Sequence, residues 1–227
     1  MPDAPPRYMS LPEEFVILSH LKYGKVHNVH QTAIGCAAAE LGELALRRKL
    51  TVRGKGKKLA LGVVYQGRSR IHLLDTSHTG LVWADELLVE LERCSASEHD
   101  PVDLLRWLRR RSQTALLWHR EALIKRGLLQ YKTRGLFGSG RHYPDSVVRD
   151  ALINDARAAY AGRTLDEHML FLCDLLVGAE LTKDLGLTMS LREGFGRMRG
   201  NGATASFPED LRGTSTALGM YVPSRLG

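Results

Sequence analysis

Cysteine is scarce in this sequence of 227 residues. Only Cys36, Cys94 and Cys173 occur, far apart and odd in number, so a disulfide framework is excluded. No pattern of cysteine and histidine has the spacing of a zinc site, and we predict no bound metal and no cofactor. Cys36 and Cys173 lie in apolar helical segments, where we expect them to pack as small hydrophobic side chains in a reducing compartment.

Long hydrophobic runs are also missing. No apolar stretch approaches the roughly 18 residues that cross a bilayer. Residues 1–10 are proline-rich and polar, without the apolar centre of a secretory signal. Since no internal repeat or linker is evident, the sequence predicts a flexible segment at 1–10 and a single domain at 11–227. We expect a cytoplasmic protein that is free or peripheral on the inner face of the membrane.

Acidic residues are outnumbered by basic ones, 25 to 32, which gives a formal net charge of +7. Nine basic residues and no acid lie between Arg47 and Arg70, and between Arg106 and Arg126 seven basic residues accompany one acid, Glu121. Such segments favour an anionic partner: nucleic acid, a phospholipid surface or a small phosphorylated or sulfated ligand. Nucleic acid is disfavoured, because interleaved aromatic residues and known nucleic-acid-binding motifs are absent.

Hydrophobic periodicity predicts a mainly helical domain with a small antiparallel β element and a protruding β-hairpin. Helices are expected at Leu11–Leu21, His27–Lys49, Leu81–Arg93, Pro101–Arg110, Ser112–Arg126, Pro144–Tyr160, Thr164–Val177 and, more briefly, within Phe207–Val222. Short strands are expected at Leu50–Arg53, Leu59–Gln66 and Ile71–Leu74. The hairpin arms are expected at Leu128–Arg134 and Gly140–Tyr143, around an apolar tip.

Catalytic motifs are absent. The sequence has no Gly-x-Ser-x-Gly or His-Glu-x-x-His, and the glycines of Gly194–Gly202 match no nucleotide-binding fingerprint. Glu40 stands in a small, apolar stretch of the long helix, where it is either a paired buried acid or a site residue. His30, nearly three helical turns away, is its candidate companion in catalysis. His27 and His30 lack a third ligand for a metal.

Five segments give the chain a family resemblance by their order. They are Leu11–Glu14, Glu43–Leu50, Thr79–Gly80 before an acidic helix, Leu123–Leu129, and the hairpin with Leu136 and Phe137 at its tip. In this order they resemble the Golgi phosphoprotein 3 family over Leu11–Gly178, in particular its bacterial, actinomycete-like members. The resemblance implies a compact helical domain with a small antiparallel β element; it weakens after residue 178.

The resemblance also implies a membrane function. Eukaryotic members bind phosphatidylinositol 4-phosphate on Golgi membranes and act as adaptors for glycosyltransferase tails. Counting without gaps puts the tryptophan and three arginines of their headgroup pocket at Asn28, Ala37, Gln113 and Leu116. Because none of these side chains replaces a guanidinium group, we do not expect this chain to bind that headgroup in the usual way.

Other cations stand near those positions. On a helix, Arg109 and Arg110 lie about one turn before Gln113, and Arg120 lies one turn after Leu116. The predicted anion- or lipid-binding residues are therefore Arg109, Arg110, Arg120, Gln113, His27, Asn28 and His30. The residues predicted to insert into the membrane or to associate with protein are those of the hairpin: Lys132, Arg134, Leu136, Phe137 and Arg141.

Two hypotheses of function follow. The first is a peripheral binding module for anionic membrane phospholipid, in which basic residues and the inserted tip give reversible attachment. The second is an enzyme or ligand-binding protein of specialised metabolism, acting on a small phosphate- or sulfate-bearing substrate in the remodelled pocket, with Glu40 and His30 as catalytic residues. A hairpin tip that does not meet lipid would instead join a second copy or a partner protein.

Overall fold

The computed structural model describes residues 9–26, 28–54, 58–60, 63–65, 68–98, 101–134, 138–161, 165–187, 204 and 206–222. These residues form seven helices, α1 (Leu11–Ser19), α2 (Val29–Leu46), α3 (Val82–Glu98), α4 (Leu104–Lys125), α5 (Ser146–Tyr160), α6 (Glu167–Gly178) and α7 (Glu209–Tyr221). The strands are β1 (Leu50–Gly54), β2 (Lys58–Ala60), β3 (Val63–Tyr65), β4 (Ser69–Leu73), β5 (Val102–Asp103), β6 (Leu129–Arg134) and β7 (Gly138–Pro144). The predicted mainly helical fold with small antiparallel β elements is confirmed.

Helix α2 lies at the centre of the core. Its residues from Thr32 to Ala45 are buried on every side, which its alanine and glycine content permits. A Cβ atom at Gly35 would overlap the ring of Phe15, and one at Gly42 would crowd Leu11 and Phe171. The glycines therefore let α1 and α6 pack closely on α2. Cys36 and Cys173 are buried in this core, as predicted.

The end of the chain completes the same core. Helix α7 packs against α6 and β1, and the backbone of Gly219 lies against Gly178. The Thr214 hydroxyl accepts a hydrogen bond from the Val52 amide at 3.0 Å, and the Tyr221 hydroxyl accepts one from the Ser69 amide at 3.3 Å. These bonds tie α7 to the β1–β4 pair.

The strands form three small antiparallel groups, β1–β4–β5, β2–β3 and the hairpin β6–β7. In the first, Val52 stands opposite Ile71 and both side chains are buried. The prediction of one strand over Leu59–Gln66 is wrong: β2 and β3 pair as separate strands, and Gly62 falls between them.

The two helices predicted at Pro101–Arg110 and Ser112–Arg126 are in fact the single 22-residue helix α4. The helix continues through the expected junction, where the Ser112 hydroxyl donates to the Arg109 carbonyl at 3.2 Å and so finds a partner within the helix. Helix α4 ends at Lys125, and Gly127, two residues further on, adopts a φ of +73° that lets the Leu128 amide bond the Leu123 carbonyl at 2.9 Å. This turn directs the chain into β6.

Candidate anion-binding site

The predicted site residues on the first half of α4 do not share one environment. Arg109 and Gln113 are exposed. Arg110 turns toward α3, where its Nη2 atom lies 3.4 Å from a Glu90 carboxylate oxygen and its guanidinium lies 4.8 Å from the Trp107 ring centre. The charge of Arg110 is therefore compensated locally.

The residues at the start of α2 have structural roles or stand free in solvent. The Asn28 side chain caps the helix by accepting a hydrogen bond from the Gln31 amide at 3.1 Å. His30 is exposed. His27 lies outside the described residues.

Glu40 is a paired buried acid rather than a partner of His30. Its side chain is 0% exposed and accepts two hydrogen bonds from Arg111, at 2.8 and 3.0 Å, and lies 3.0 Å from His119 Nε2. Burial alone would raise the pKa of Glu40, but the hydrogen bonds from His119 and Arg111 lower it below its ordinary value. The carboxylate joins α2 to α4 and is closed to a substrate.

The hairpin carries cations next to the loop between α1 and α2. Lys132 is exposed with its Nζ atom 5.3 Å from the Tyr143 ring centre, and Arg141 donates a hydrogen bond to the Tyr23 carbonyl at 3.1 Å. The Arg134 side chain and both tip residues, Leu136 and Phe137, lie outside the described residues.

Close contact between this loop and β7 brings two acid-free segments together. The His142 amide donates to the Gly24 carbonyl at 3.1 Å, and Gly24, at φ +77°, lies against Tyr143 and Arg141. Residues 15–39 and 122–144 contain no aspartate or glutamate. We name as the hairpin face the cationic and aromatic side chains around this contact: Lys22, Tyr23, Lys25, Lys132 and Arg141. Tyr131 pairs with His142 in the hairpin and points to the opposite side from Lys132 and Arg141.

Beneath the hairpin face lies a group of three basic side chains, His20, Arg120 and His142. His20 is 0% exposed; its Nδ1 lies 2.7 Å from the Val16 carbonyl, and its Nε2 has no hydrogen-bond partner. The buried Nε atom of Arg120 also has none. The rings of His20 and His142 are 5.8 Å apart between centres. We call these three residues the basic cluster.

The electrostatics of the basic cluster disfavour extra protons. Burial lowers the pKa of His20 to about 4, with the charges of Arg120 and His142 adding to the effect. Burial and Arg120 likewise lower the pKa of His142 to about 4. Arg120 was predicted from its helical position, whereas His20 and His142 were missed, because no local sequence signal brings the end of α1 to β7.

The basic segment between Arg47 and Arg70 divides in two. Arg47, Arg48 and Lys49 pair with Glu43, Glu167 and Asp75 respectively. Further along, Arg53, Arg68, Arg70 and His72 line an open cleft on the outer side of β1 and β4. Arg70 is anchored there by a 2.7 Å hydrogen bond to the Pro101 carbonyl.

Together these features define a helical domain with one cationic hairpin face. No helix among the described residues is long and apolar enough to cross a membrane, and no group of three metal-ligating side chains occurs in that part of the chain. The sequence profile of the Golgi phosphoprotein 3 (GPP34) family matches residues 11–200. The chain therefore belongs to this family, and the match continues beyond Gly178. No curated protein matches the chain at a significant level.

Proposed function

We propose that the protein binds membranes peripherally, by attraction of the hairpin face to anionic phospholipid. One observation carries the proposal: two acid-free segments pack together and present exposed lysines near the exposed Tyr23, whose side chain is 56% exposed. A basic residue near an anionic leaflet contributes about 1 kcal/mol. Tyrosine is suited to the interface because its ring is apolar and its hydroxyl polar.

The apolar tip adds to this attraction. Leu136 and Phe137 follow β6 and precede β7 in the sequence. Inserting two large apolar side chains is a second anchoring signal alongside charge, and reversible binding generally needs two such signals. If the tip bound a second copy or a partner protein, the protein would associate without lipid.

Selectivity is expected for charge rather than for phosphatidylinositol 4-phosphate. Ala37 and Leu116 are buried, and Asn28 and Gln113 carry no charge, so the four corresponding positions supply no guanidinium group. Phosphatidylglycerol and cardiolipin, the acidic lipids of bacterial membranes, are suitable ligands. The enzymatic alternative gains no support, because Glu40 is closed off by Arg111 and His119.

Flotation with lipid vesicles tests the proposal. Wild-type protein should float with vesicles containing phosphatidylglycerol and remain behind with pure phosphatidylcholine. Lys25→Glu/Lys132→Glu reverses two exposed charges of the hairpin face and should remove most of the flotation. The matched control, Arg93→Glu/Arg106→Glu, makes the same change in net charge at exposed positions. Arg106 lies about 28 Å along α4 from Lys125.

The control variant should float like the wild type. If both variants lost flotation equally, net charge alone would drive binding. If the wild type floated equally with neutral and anionic vesicles, lipid charge would not be recognised. Either result overturns the proposal.

A further inference from the structure

The basic cluster is unusual because its groups lack acidic partners within the described part of the chain. Among the described residues Arg120 has no ion pair, and its buried Nε atom and His20 Nε2 have no hydrogen bond. Buried polar groups almost always find partners, since an unsatisfied one costs free energy. The Arg120 Nε–H group therefore lacks an acceptor, and an acceptor placed there could also bind His20 Nε2 once the imidazole takes up a second proton.

Nearby acids are already engaged. Glu40 is held by Arg111 and His119. On α5, Asp150 lies 3.7 Å from Arg149 and 3.9 Å from Lys22. No carboxylate is therefore available to the basic cluster in the described part of the chain.

We propose that His20, Arg120 and His142 form a binding site for a small tetrahedral oxyanion, a phosphate or sulfate group, whose binding is coupled to proton uptake. None of the three stands at Asn28, Ala37, Gln113 or Leu116, where the resemblance places the lipid headgroup pocket. The site goes beyond the proposed membrane function, because it binds its anion without a membrane.

The proton coupling follows from the hydrogen bond at His20. A carbonyl oxygen can only accept, so Nδ1 carries the proton that is donated to Val16. The neutral ring therefore has a bare lone pair at Nε2, which repels an anion. To donate to an oxyanion, His20 must take up a second proton at Nε2, whereas Arg120 is a donor at every relevant pH.

The charged groups around His20 set the direction of the pH effect. Arg120 faces it from α4, His142 from β7 and Arg149 from α5, where the Arg149 Nε atom lies 3.3 Å from the His20 carbonyl. Asp150 lies 3.7 Å from Arg149, and Tyr131 of β6 contacts His142. A bound dianion offsets this positive charge and raises the pKa of both imidazoles, so binding tightens as pH falls.

Titration calorimetry of the full chain with inorganic sulfate, without lipid, tests this inference. Sulfate remains a dianion throughout the range, so only the protein titrates. Affinity should rise by about tenfold per pH unit for each proton coupled between about pH 7 and about pH 5. The heat should also depend on the ionisation enthalpy of the buffer, which reports proton uptake.

Variants test whether sulfate binding and its pH dependence arise from the basic cluster. Arg120→Met should abolish binding, whereas Arg106→Met, an exposed position on the same helix, should leave it unchanged. Because Arg120 is half-buried, His142→Gln serves as a second variant that should weaken binding and lower the number of protons taken up. Absence of sulfate binding, binding independent of pH, or equal binding by Arg120→Met would each overturn the inference. None of these results would alter vesicle flotation, so the two proposals fail separately.

Discussion

Glu40 illustrates how a single buried charge is stabilised by its partners. Its carboxylate accepts two hydrogen bonds from Arg111, whose side chain is 14% exposed, and contacts the fully buried His119. Removing one partner of a buried ion pair leaves the other charge uncompensated, which is costly. Helical spacing places Arg111 and His119 on one face of α4, but sequence alone does not show that this face meets Glu40.

Glu40→Gln should therefore lower the free energy of unfolding by about 3 kcal/mol, as measured by urea denaturation. The matched control Glu90→Gln removes a carboxylate that is 41% exposed and pairs with the same Arg111, and it should cost well under 1 kcal/mol. Unchanged stability in Glu40→Gln would contradict a structural role.

His20 gives the protein a dependence of stability on pH. Its pKa is about 4 when folded against an ordinary value of 6.5, so between these values the unfolded chain binds a proton that the folded chain does not. Stability is complete above pH 6.5 and is lost as pH falls toward 4, by about 3 kcal/mol from this residue.

Replacing His20 by asparagine, whose amide can still donate to the Val16 carbonyl, should flatten this part of the profile. The measurement is urea denaturation at a series of pH values. A profile as steep in His20→Asn as in the wild type would assign the dependence to other groups.

At the scale of elements, helical periodicity located the helices well, whereas turns and junctions were less predictable. The division of α4 failed because polar residues near Arg111 suggest an end, although one of them satisfies the buried Glu40. The hairpin was predicted as two arms around an apolar tip, but its contact with the α1–α2 loop was not predicted, since that contact joins residues more than a hundred positions apart.

A substitution at Gly24 tests the contact between the hairpin and the α1–α2 loop. This glycine adopts φ +77°, and a Cβ atom there would lie 2.8 Å from the Tyr143 ring and 2.9 Å from Arg141 Cβ. Gly24→Ala should lower the free energy of unfolding by about 2–3 kcal/mol and weaken vesicle binding. Gly80 has φ +81° with no atom near its Cβ position, so Gly80→Ala should cost only about 1 kcal/mol. Equal costs would show that crowding against the hairpin is unimportant.

At the scale of the whole molecule, the chain beyond Gly178 belongs to the same core as the rest. The family resemblance weakened there, but α7 supplies hydrogen bonds to β1 and β4. Thr214→Val removes the bond to the Val52 amide and should cost about 1–3 kcal/mol of unfolding free energy. Thr114→Val, at an exposed position on α4, should have little effect. Two separate unfolding transitions would contradict a shared core.

Net charge and segment composition predicted an anionic partner, and the fold shows which charges are available to it. Four of the basic residues form ion pairs within the protein: Arg47, Arg48, Lys49 and Arg110. The basic segments of the sequence therefore overestimate the positive charge that a partner can reach. What sequence did not reveal is that two acid-free segments meet at the hairpin face.

Partitioning onto vesicles of increasing phosphatidylglycerol content, at several salt concentrations, tests the central claim most directly. Wild-type binding should rise steeply with lipid charge and fall with salt, and Lys25→Glu/Lys132→Glu should remove most of this response while Arg93→Glu/Arg106→Glu keeps it. Binding that ignores both lipid charge and salt, or that persists unchanged in Lys25→Glu/Lys132→Glu, would contradict the account.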